Sequence, residues 1–348
     1  MITLVRTAAV AAIVALALTA CAPAEPGAKP LVLITHDSFA LSDGILDQFT
    51  EETGVEVQVQ SAGDAGQVVN TLVLTKDSPL GDVVFGIDTT FASRAVNAGV
   101  LEDYVSGDVT SAEQDYLLPA GQGGEQLTPI DNGDVCVNVD HEWFAEAGVE
   151  EPVTLEDLTK PEYKDLLVVE AANSSSPGLA FLLSTIAAFG EDGWQDYWTT
   201  LMDNGTLVVA GWTDAYYTEF SGPSSEGNRP LVVSYASSPP FEAAEDATEA
   251  PTGALLDTCF RQTEYAGVIA GTTQPEAARQ LVDFLFSTTV QNDIPESMYV
   301  YPVNSQATLP ESFVKFAKIA ENPFVVEPAD IDANRERWLT EWAAIATP

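Results

Sequence analysis

Basic residues are scarce in this chain: 13 Lys and Arg stand against 53 Asp and Glu, for a formal charge of −40. That balance excludes nucleic acid as a partner, because phosphate contacts are made by Lys and Arg. Only two histidines occur, His36 and His141, with no HExxH, no GxSxG and no metal-ligand spacing around them. A secreted hydrolase is therefore left without recognisable machinery. Beyond the first 20 residues there is no long apolar run, so no further segment reads as a membrane span. Disorder is excluded by what is present, since 46% hydrophobic and 9% aromatic residues are ordinary for a packed body. Dispersed acid on this scale favours a solvated, self-repelling surface; it equally suits drawing cations toward a cleft, or a salty habitat.

Met1 to Ala20 reads as a targeting segment, with Arg6 as its basic start and Ala8 to Leu18 as an apolar run too short and too Ala-rich for an ordinary span. It ends Leu18-Thr19-Ala20-Cys21, which resembles the bacterial lipobox: a lipoprotein signal peptide over 1–20 is cut and the thiol of Cys21 is lipidated. A plain secretory leader is the other reading. Residues 21–30 then hold the lipidated Cys and a Pro- and Ala-rich flexible tether. The mature body is expected outside the membrane, held to its outer face by acyl chains. With Cys21 taken, Cys136 and Cys259 remain in an oxidising compartment. One disulfide is the economical reading, and two separate buried thiols are the alternative.

Along the body, short apolar or alternating runs exchange with amphipathic stretches. LVLIT at 31–35, VEVQVQ at 55–60 and DVVFG at 82–86 predict strands. Helices are expected over 43–52, 67–74 and 91–98, with Gly54 and Gly99 as stops. A second unit runs LLVVE at 166–170, helices over 179–189 and 194–202, and strands at 207–210 and 231–235. Between and after the units lie two long extended pieces, PIDNGDVCVNVD at 129–140, with a turn expected at Asn132-Gly133, and CFRQTEYAGVIA at 259–270. The alternation predicts an α/β fold with ligands at the carboxyl ends of its strands. Side-by-side crossing of the two extended pieces would make a hinge.

The richest chemistry lies between Ala210 and Pro240. AGWTDAYYTEF carries Trp212, Tyr216 and Tyr217 around Asp214, and LVVSYASSPP carries Tyr235. Trp212 and Tyr216 share a face on a helical turn. Rings beside a carboxylate suit a flat cation, whereas a packed aromatic corner needs no ligand at all. In Ser174-Ser175-Ser176-Pro177-Gly178, Ser is the cap and Pro the first turn of a helix, so free N–H groups and the Ser175 and Ser176 hydroxyls offer an anion seat. An ordinary capped helix start is the alternative.

Several segments, in order, resemble the type II periplasmic-type substrate-binding proteins of ABC importers, and within them the thiamine-binding lipoproteins. They are THDSF at 35–39, GD at 81–82 with GID at 86–88, SSPGL at 175–179, GWTDAY at 211–216, VSYASSP at 233–239, IPESMYVYPV at 294–303 and RERWLTEW at 335–342. The resemblance implies a two-lobed fold joined by two extended crossing segments. Lobe 1 would be 31–130 plus about 265–310, lobe 2 would be 131–264 including the crossing strands, and 311–348 would be a C-terminal helical segment. It implies no enzyme activity and no cofactor, a monomer, a membrane permease as partner, and thiamine or thiamine monophosphate as ligand. The ring positions it implies are Trp212, Tyr216, Tyr235 and Tyr299, the last where Trp is expected, with His36 where relatives carry Tyr. Asp64 is the best positional match for an acid facing the ligand, with Asp88 and Asp37 behind it. Ferric iron, since Tyr216-Tyr217 resembles the tyrosine pairs of ferric-ion binders, and a polyamine, since the acidic charge resembles that of polyamine binders, are the alternative cations on the same fold. With no Lys or Arg near Ser175 and Ser176, a diphosphate would be served less well than free thiamine or its monophosphate.

Overall fold

The computed structural model describes residues 29–346, so the leader, Cys21 and most of the tether lie outside the described residues. The first half runs β1 (Leu31–Thr35), α1 (Ile45–Thr53), β2 (Val57–Ser61), α2 (Ala65–Leu74), β3 (Val83–Asp88) and α3 (Ala92–Ala98). Gly54 and Gly99 end α1 and α3 in the left-handed region, returning their N–H groups to the Thr50 and Ala95 carbonyls. After β4 (Thr128–Asp140), the second half follows: α4 (His141–Ala147), β5 (Leu167–Glu170), α5 (Ser176–Phe189), α6 (Trp194–Asp203), β6 (Leu207–Val209), α7 (Trp212–Asp214), β7 (Leu231–Tyr235) and α8 (Pro239–Glu242). β8 (Thr252–Val268) returns to the first half, where α9 (Pro275–Phe286), α10 (Thr288–Ser297) and β9 (Tyr301–Pro302) pack. The short α11 (Glu311–Phe316) and the long α12 (Pro328–Ala346) close the chain.

One mixed sheet results, in the order β2-β1-β3-β8-β4-β7-β5-β6, with β9 paired to β4. β1 is parallel to β2 and β3, and β5 is parallel to β6 and β7. The long strands β4 and β8 run antiparallel and carry the chain between the halves. Thr128 to Gly133 face the C-terminal part of β8, whereas Val137 to Asp140 face its start. At the crossing the register breaks: residues 256–259 of β8 stand opposite Cys136 alone, and a disulfide joins Cys136 to Cys259 there.

No turn forms at Asn132-Gly133. Both residues lie inside β4, paired with Thr263 and Gln262, and Asn132 also pairs with Tyr301. An Asn-Gly pair turns when its backbone has no better partners, and here a strand claims it on each side. The glycine serves close approach instead, since a Cβ on Gly133 would stand 2.8 Å from Cδ1 of the Tyr235 ring.

Alternate residues of each strand feed opposite faces. Leu31, Leu33, Val83 and Phe85 bury against Phe49 of α1 and against Leu281, Val282 and Leu285 of α9. Ile34, Val84 and Ile87 bury against Val68, Val69 and Leu72 of α2. In the second half, Val169 and Val233 join the core with α5, whereas Val168 and Val232 pack under Tyr216 and Phe220. The terminal helix touches both halves: Trp342 meets Trp198 edge-on at 5.6 Å, and Glu336 lies 3.3 Å from Arg94 of α3. No helix among the described residues is long and apolar enough to cross a membrane.

Candidate functional site

Five strands deliver lining residues from their carboxyl ends to one cleft of about 310 Å³, and β3 ends just behind it. His36 follows β1, Asp64 follows β2, and Asp88 ends β3. Ser176 follows β5, Trp212 follows β6 and Tyr235 ends β7. Glu264 comes from the crossing strand β8, and Tyr299 from the loop between α10 and β9. Tyr299 sits at φ 56°, a left-handed conformation uncommon for a ring-bearing residue.

One side of the cleft is aromatic. The Trp212 and Tyr216 rings stack at 4.9 Å and 21° on a turn that loosens from α-helical into π-helical geometry over Ala215–Glu219. The Trp212 indole N–H donates to Ser234 Oγ at 2.9 Å, which fixes its plane. Tyr217 stands edge-on to both rings, at 5.4 Å and 5.5 Å. Phe241 of α8 bridges Tyr217 at 5.9 Å and Tyr299 at 5.1 Å, so rings from both halves meet in the cleft lining. The Tyr216 hydroxyl is buried and makes no hydrogen bond of standard geometry, though Glu242 and Ser238 lie within its reach; burial, followed by the Glu242 carboxylate, holds it well above the ordinary tyrosine range.

The other side is acidic. Asp64 caps α2, and its Oδ1 accepts from Ala65 N at 2.7 Å and from Ser176 N at 3.0 Å. Its Oδ2 accepts from Trp212 N at 3.1 Å. Burial raises its pKa, and those donors work against the rise. Asp88 is fully buried; it accepts from Thr90 N and from the Ser176 hydroxyl. Burial pushes its carboxyl up to about 6. His36 Nε2 lies 3.5 Å from Glu264 Oε2, an ion-pair rather than a hydrogen-bond distance. Burial opposes a proton on His36, yet Glu264 and the more distant Asp64 and Asp37 raise its pKa overall. Asp131, paired across the strands with Glu264, is buried, and its carboxyl stands well above the usual range through burial and then the Glu264 charge.

The cleft is therefore lined by His36, Asp37, Asp64, Ser176, Trp212, Tyr216, Tyr235 and Tyr299 from the sequence reading. Ser175 and Asp88 do not reach it. Ser175 is buried behind the wall, its Oγ accepting from Gly178 N at 3.4 Å, which is a helix cap; Asp88 lies behind Ser176. Tyr217, Phe241, Phe39, Met298 and Glu264 line it without having been singled out as ligand contacts. Four serine and threonine hydroxyls, of Ser38, Thr213, Ser238 and Ser297, also line it, but among the described residues no Lys or Arg does. His141 lies elsewhere, with Nδ1 2.7 Å from Glu151. Among the described residues no group of three or more His, Cys, Asp and Glu side chains is arranged to hold a metal ion. Chemically, such a cleft suits a flat cation with a neutral hydroxyl-bearing arm: rings for its faces, carboxylates for its charge, hydroxyls for its tail.

Residues 78–320 match the model of a family described as bacterial extracellular solute-binding protein. The chain is 28% identical over 322 residues to the thiamine-binding periplasmic protein of Escherichia coli K12, covering 90% of this chain and 93% of that one. It is 26% identical over 330 residues to the thiamine-binding periplasmic protein of Brucella suis, covering 93% and 94%. Among solved structures, a periplasmic thiamin binding protein superposes with a TM-score of 0.76 at 27% identity, over 91% of this chain and 96% of that one.

Proposed function

Because the chain belongs to the family of bacterial extracellular solute-binding proteins, we propose that it captures thiamine in this cleft and delivers it to the membrane permease of an ABC importer. It is a binding protein, not an enzyme. The observation that carries the reading is the lining itself: Trp212 stacked on Tyr216, with Tyr235, Tyr299, Asp64 and Glu264 in the same cleft and no Lys or Arg among its described lining residues. The resemblance of relatives named as thiamine-binding supports the same ligand. In this reading Trp212, Tyr216, Tyr235 and Tyr299 cover the rings of the ligand. Asp64 and Glu264 face its positive charge, with His36 at the edge of the acid group. Asp88 and Ser175 act from behind, through Ser176 and the start of α5.

The capture mechanism is closure. Residues 31–130 with about 265–310 form one half and 131–264 the other, moving about β4 and β8; ligand contacts to both halves favour the closed form, which the permease reads. The chain works outside the cytoplasm as a monomer, held by an acylated Cys21 to the outer face of the membrane. Mass spectrometry of small molecules carried through purification, followed by calorimetric titration with thiamine and with ferric ion, tests the ligand. Thiamine is expected to bind in the micromolar range or tighter, corresponding to roughly 8 kcal/mol or more. Absence of thiamine binding together with an iron-dependent visible absorption band would replace it with the ferric reading.

A further inference from the structure

Three carboxyl side chains stand in one row across the middle of the sheet. Glu264 of β8 is the register partner of Asp88 on β3 and of Asp131 on β4. Like charges directly opposite on antiparallel strands repel. All three are buried, and Glu264 is the member that lines the cleft. Asp88 accepts from Thr90 N and the Ser176 hydroxyl, whereas Oδ2 of Asp131 has no hydrogen-bond partner. His36 is the lining residue that can answer this row with a positive charge, since no Lys or Arg is among the described lining residues. Its Nε2 lies 3.5 Å from Glu264 Oε2 and makes no hydrogen bond. The ring is confined there. It packs on Phe85 at 5.4 Å, and Gly86, at φ 97°, leaves the room it occupies, because a Cβ at that position would collide with Cδ2 of the imidazole. The other charges that bear on His36 are also acidic: Asp64 after β2 and Asp37 in its own loop. Tyr235 of β7 lies among the same acids, and Arg335 of α12 acts on Asp88. Burial works against a proton on His36, but Glu264 outweighs it and the pKa is raised, so the empty cleft holds an imidazolium at mildly acid pH.

We propose that His36 is the resident counter-cation of this acid row and that the ligand's positive charge takes its place, so that capture of one cation expels the His36 proton to solvent. The inference rests on the thiamine reading and deepens it. A second positive charge beside Glu264 is repelled by the imidazolium, and the confined ring cannot swing aside; giving up its proton removes the repulsion and leaves a neutral ring in the lining. The charges balance, one entering and one leaving. A neutral heterocycle of the same shape leaves the imidazolium in place and gains nothing from the exchange. His36 is thereby a specificity-determining residue: thiamine affinity climbs as pH rises and levels off once the ring is neutral in the empty cleft.

The chain has only two histidines, so the imidazole proton resonances of the tag-free mature chain read the exchange directly. His141, beside Glu151 and outside the cleft, is the internal control, and His141→Gln assigns the two signals. At pH 6.5, the ordinary histidine value, the His36 signal is expected nearer its protonated position without ligand. Saturation with thiamine should carry it to the neutral position while His141 stays where it is. Calorimetry at the same pH in two buffers of different ionisation heat should show release of at least about 0.3 proton per thiamine, shrinking as pH is raised. His36→Gln should remove at least about half of that release and flatten the rise of thiamine affinity between about pH 5.5 and 7.5. The resonance measurement needs no change in the cleft, so it decides the matter even where His36→Gln fails to fold. A His36 signal unmoved by saturating thiamine overturns the exchange and leaves the thiamine reading intact; so does undiminished proton release in folded His36→Gln. If thiamine does not bind the unaltered chain, the thiamine reading itself fails, and the exchange with it.

Discussion

The two sides of the cleft are built by different physics. On the aromatic side, Trp212, Tyr216, Tyr217, Phe241 and Tyr299 hold one another by ring contacts of 4.9–5.9 Å, and a single hydrogen bond to Ser234 sets the Trp212 plane. On the acidic side, Asp64 and Asp88 are held by backbone N–H groups and a serine hydroxyl, and Glu264 by its place in β8. A ring wall acts through buried area and quadrupole, and is nearly indifferent to pH. A buried acid group acts through charge and answers to pH and to each neighbouring proton. Affinity should therefore come mostly from the first side, and its pH dependence from the second.

Removing the central ring is the strongest way to break this division. Trp212→Ala loses the stack on Tyr216 and the cover it gives the ligand, and should cost about 1–3 kcal/mol of thiamine binding. Calorimetry at one pH measures it; wild-type affinity in the variant would place the ring outside the site. Trp212 is only half-buried, so thermal melting should move little by comparison.

The acidic side is probed next, through Asp88. Its folded pKa of about 6 lies above the ordinary value of 3.8, so the folded chain holds that proton longer than the unfolded chain. Stability from this group is thus greatest below about pH 4 and declines as pH rises through about 6, by on the order of 3 kcal/mol. Asp88→Asn keeps an acceptor for Thr90 N and should flatten that decline in ligand-free melts. His36, whose pKa is raised, works in the same direction at higher pH: its contribution is full below 6.5 and is lost as pH rises through its folded value. A bound cation favours release of both protons, so thiamine affinity should climb between about pH 5 and 7. Glu264→Gln comes below Asp88→Asn in size. It removes the carboxylate 3.5 Å from His36 and should weaken thiamine binding by roughly threefold to tenfold, with a flatter pH profile.

Much of the fold is legible in the sequence, because alternation, apolar runs and stop glycines are local signals: each β-to-α passage of the first half falls within a few residues of its expected place. Asn132-Gly133 misleads because a turn signal is also local, whereas the strands that claim those residues, β8 and β9, arrive from far along the chain. The cleft divides in the same way. Trp212, Tyr216 and Tyr235 stand in short motifs dense with rings. Glu264 and Asp131 stand in extended pieces among other polar residues, and only the cross-strand register of β4 and β8 brings their carboxyls together beneath the ligand site. Phe241 is hidden behind Pro239-Pro240, where the sequence reads as loop but the chain makes one helical turn. Ser175 and Ser176 illustrate the opposite difficulty: the helix start is plain, but that its donors are filled from Asp64 and Asp88 is a fact of the other half.

The smallest expected effect separates the ring from its hydroxyl within one residue. Tyr216 is buried, its ring lies flat on Trp212, and its hydroxyl makes no hydrogen bond of standard geometry to the Glu242 and Ser238 side chains near it. A buried hydroxyl without a well-formed hydrogen bond adds little to a fold that it costs free energy to desolvate, so Tyr216→Phe should leave melting temperature little changed, within about 1 kcal/mol. If the aromatic side works through its faces, thiamine affinity should also change by less than about threefold, since the quadrupole of Phe is close to that of Tyr. A large loss of affinity in this variant would mean that the hydroxyl donates to the ligand. Polar recognition would then belong to both sides of the cleft, and the division between a ring wall and an acid wall would fail at its centre.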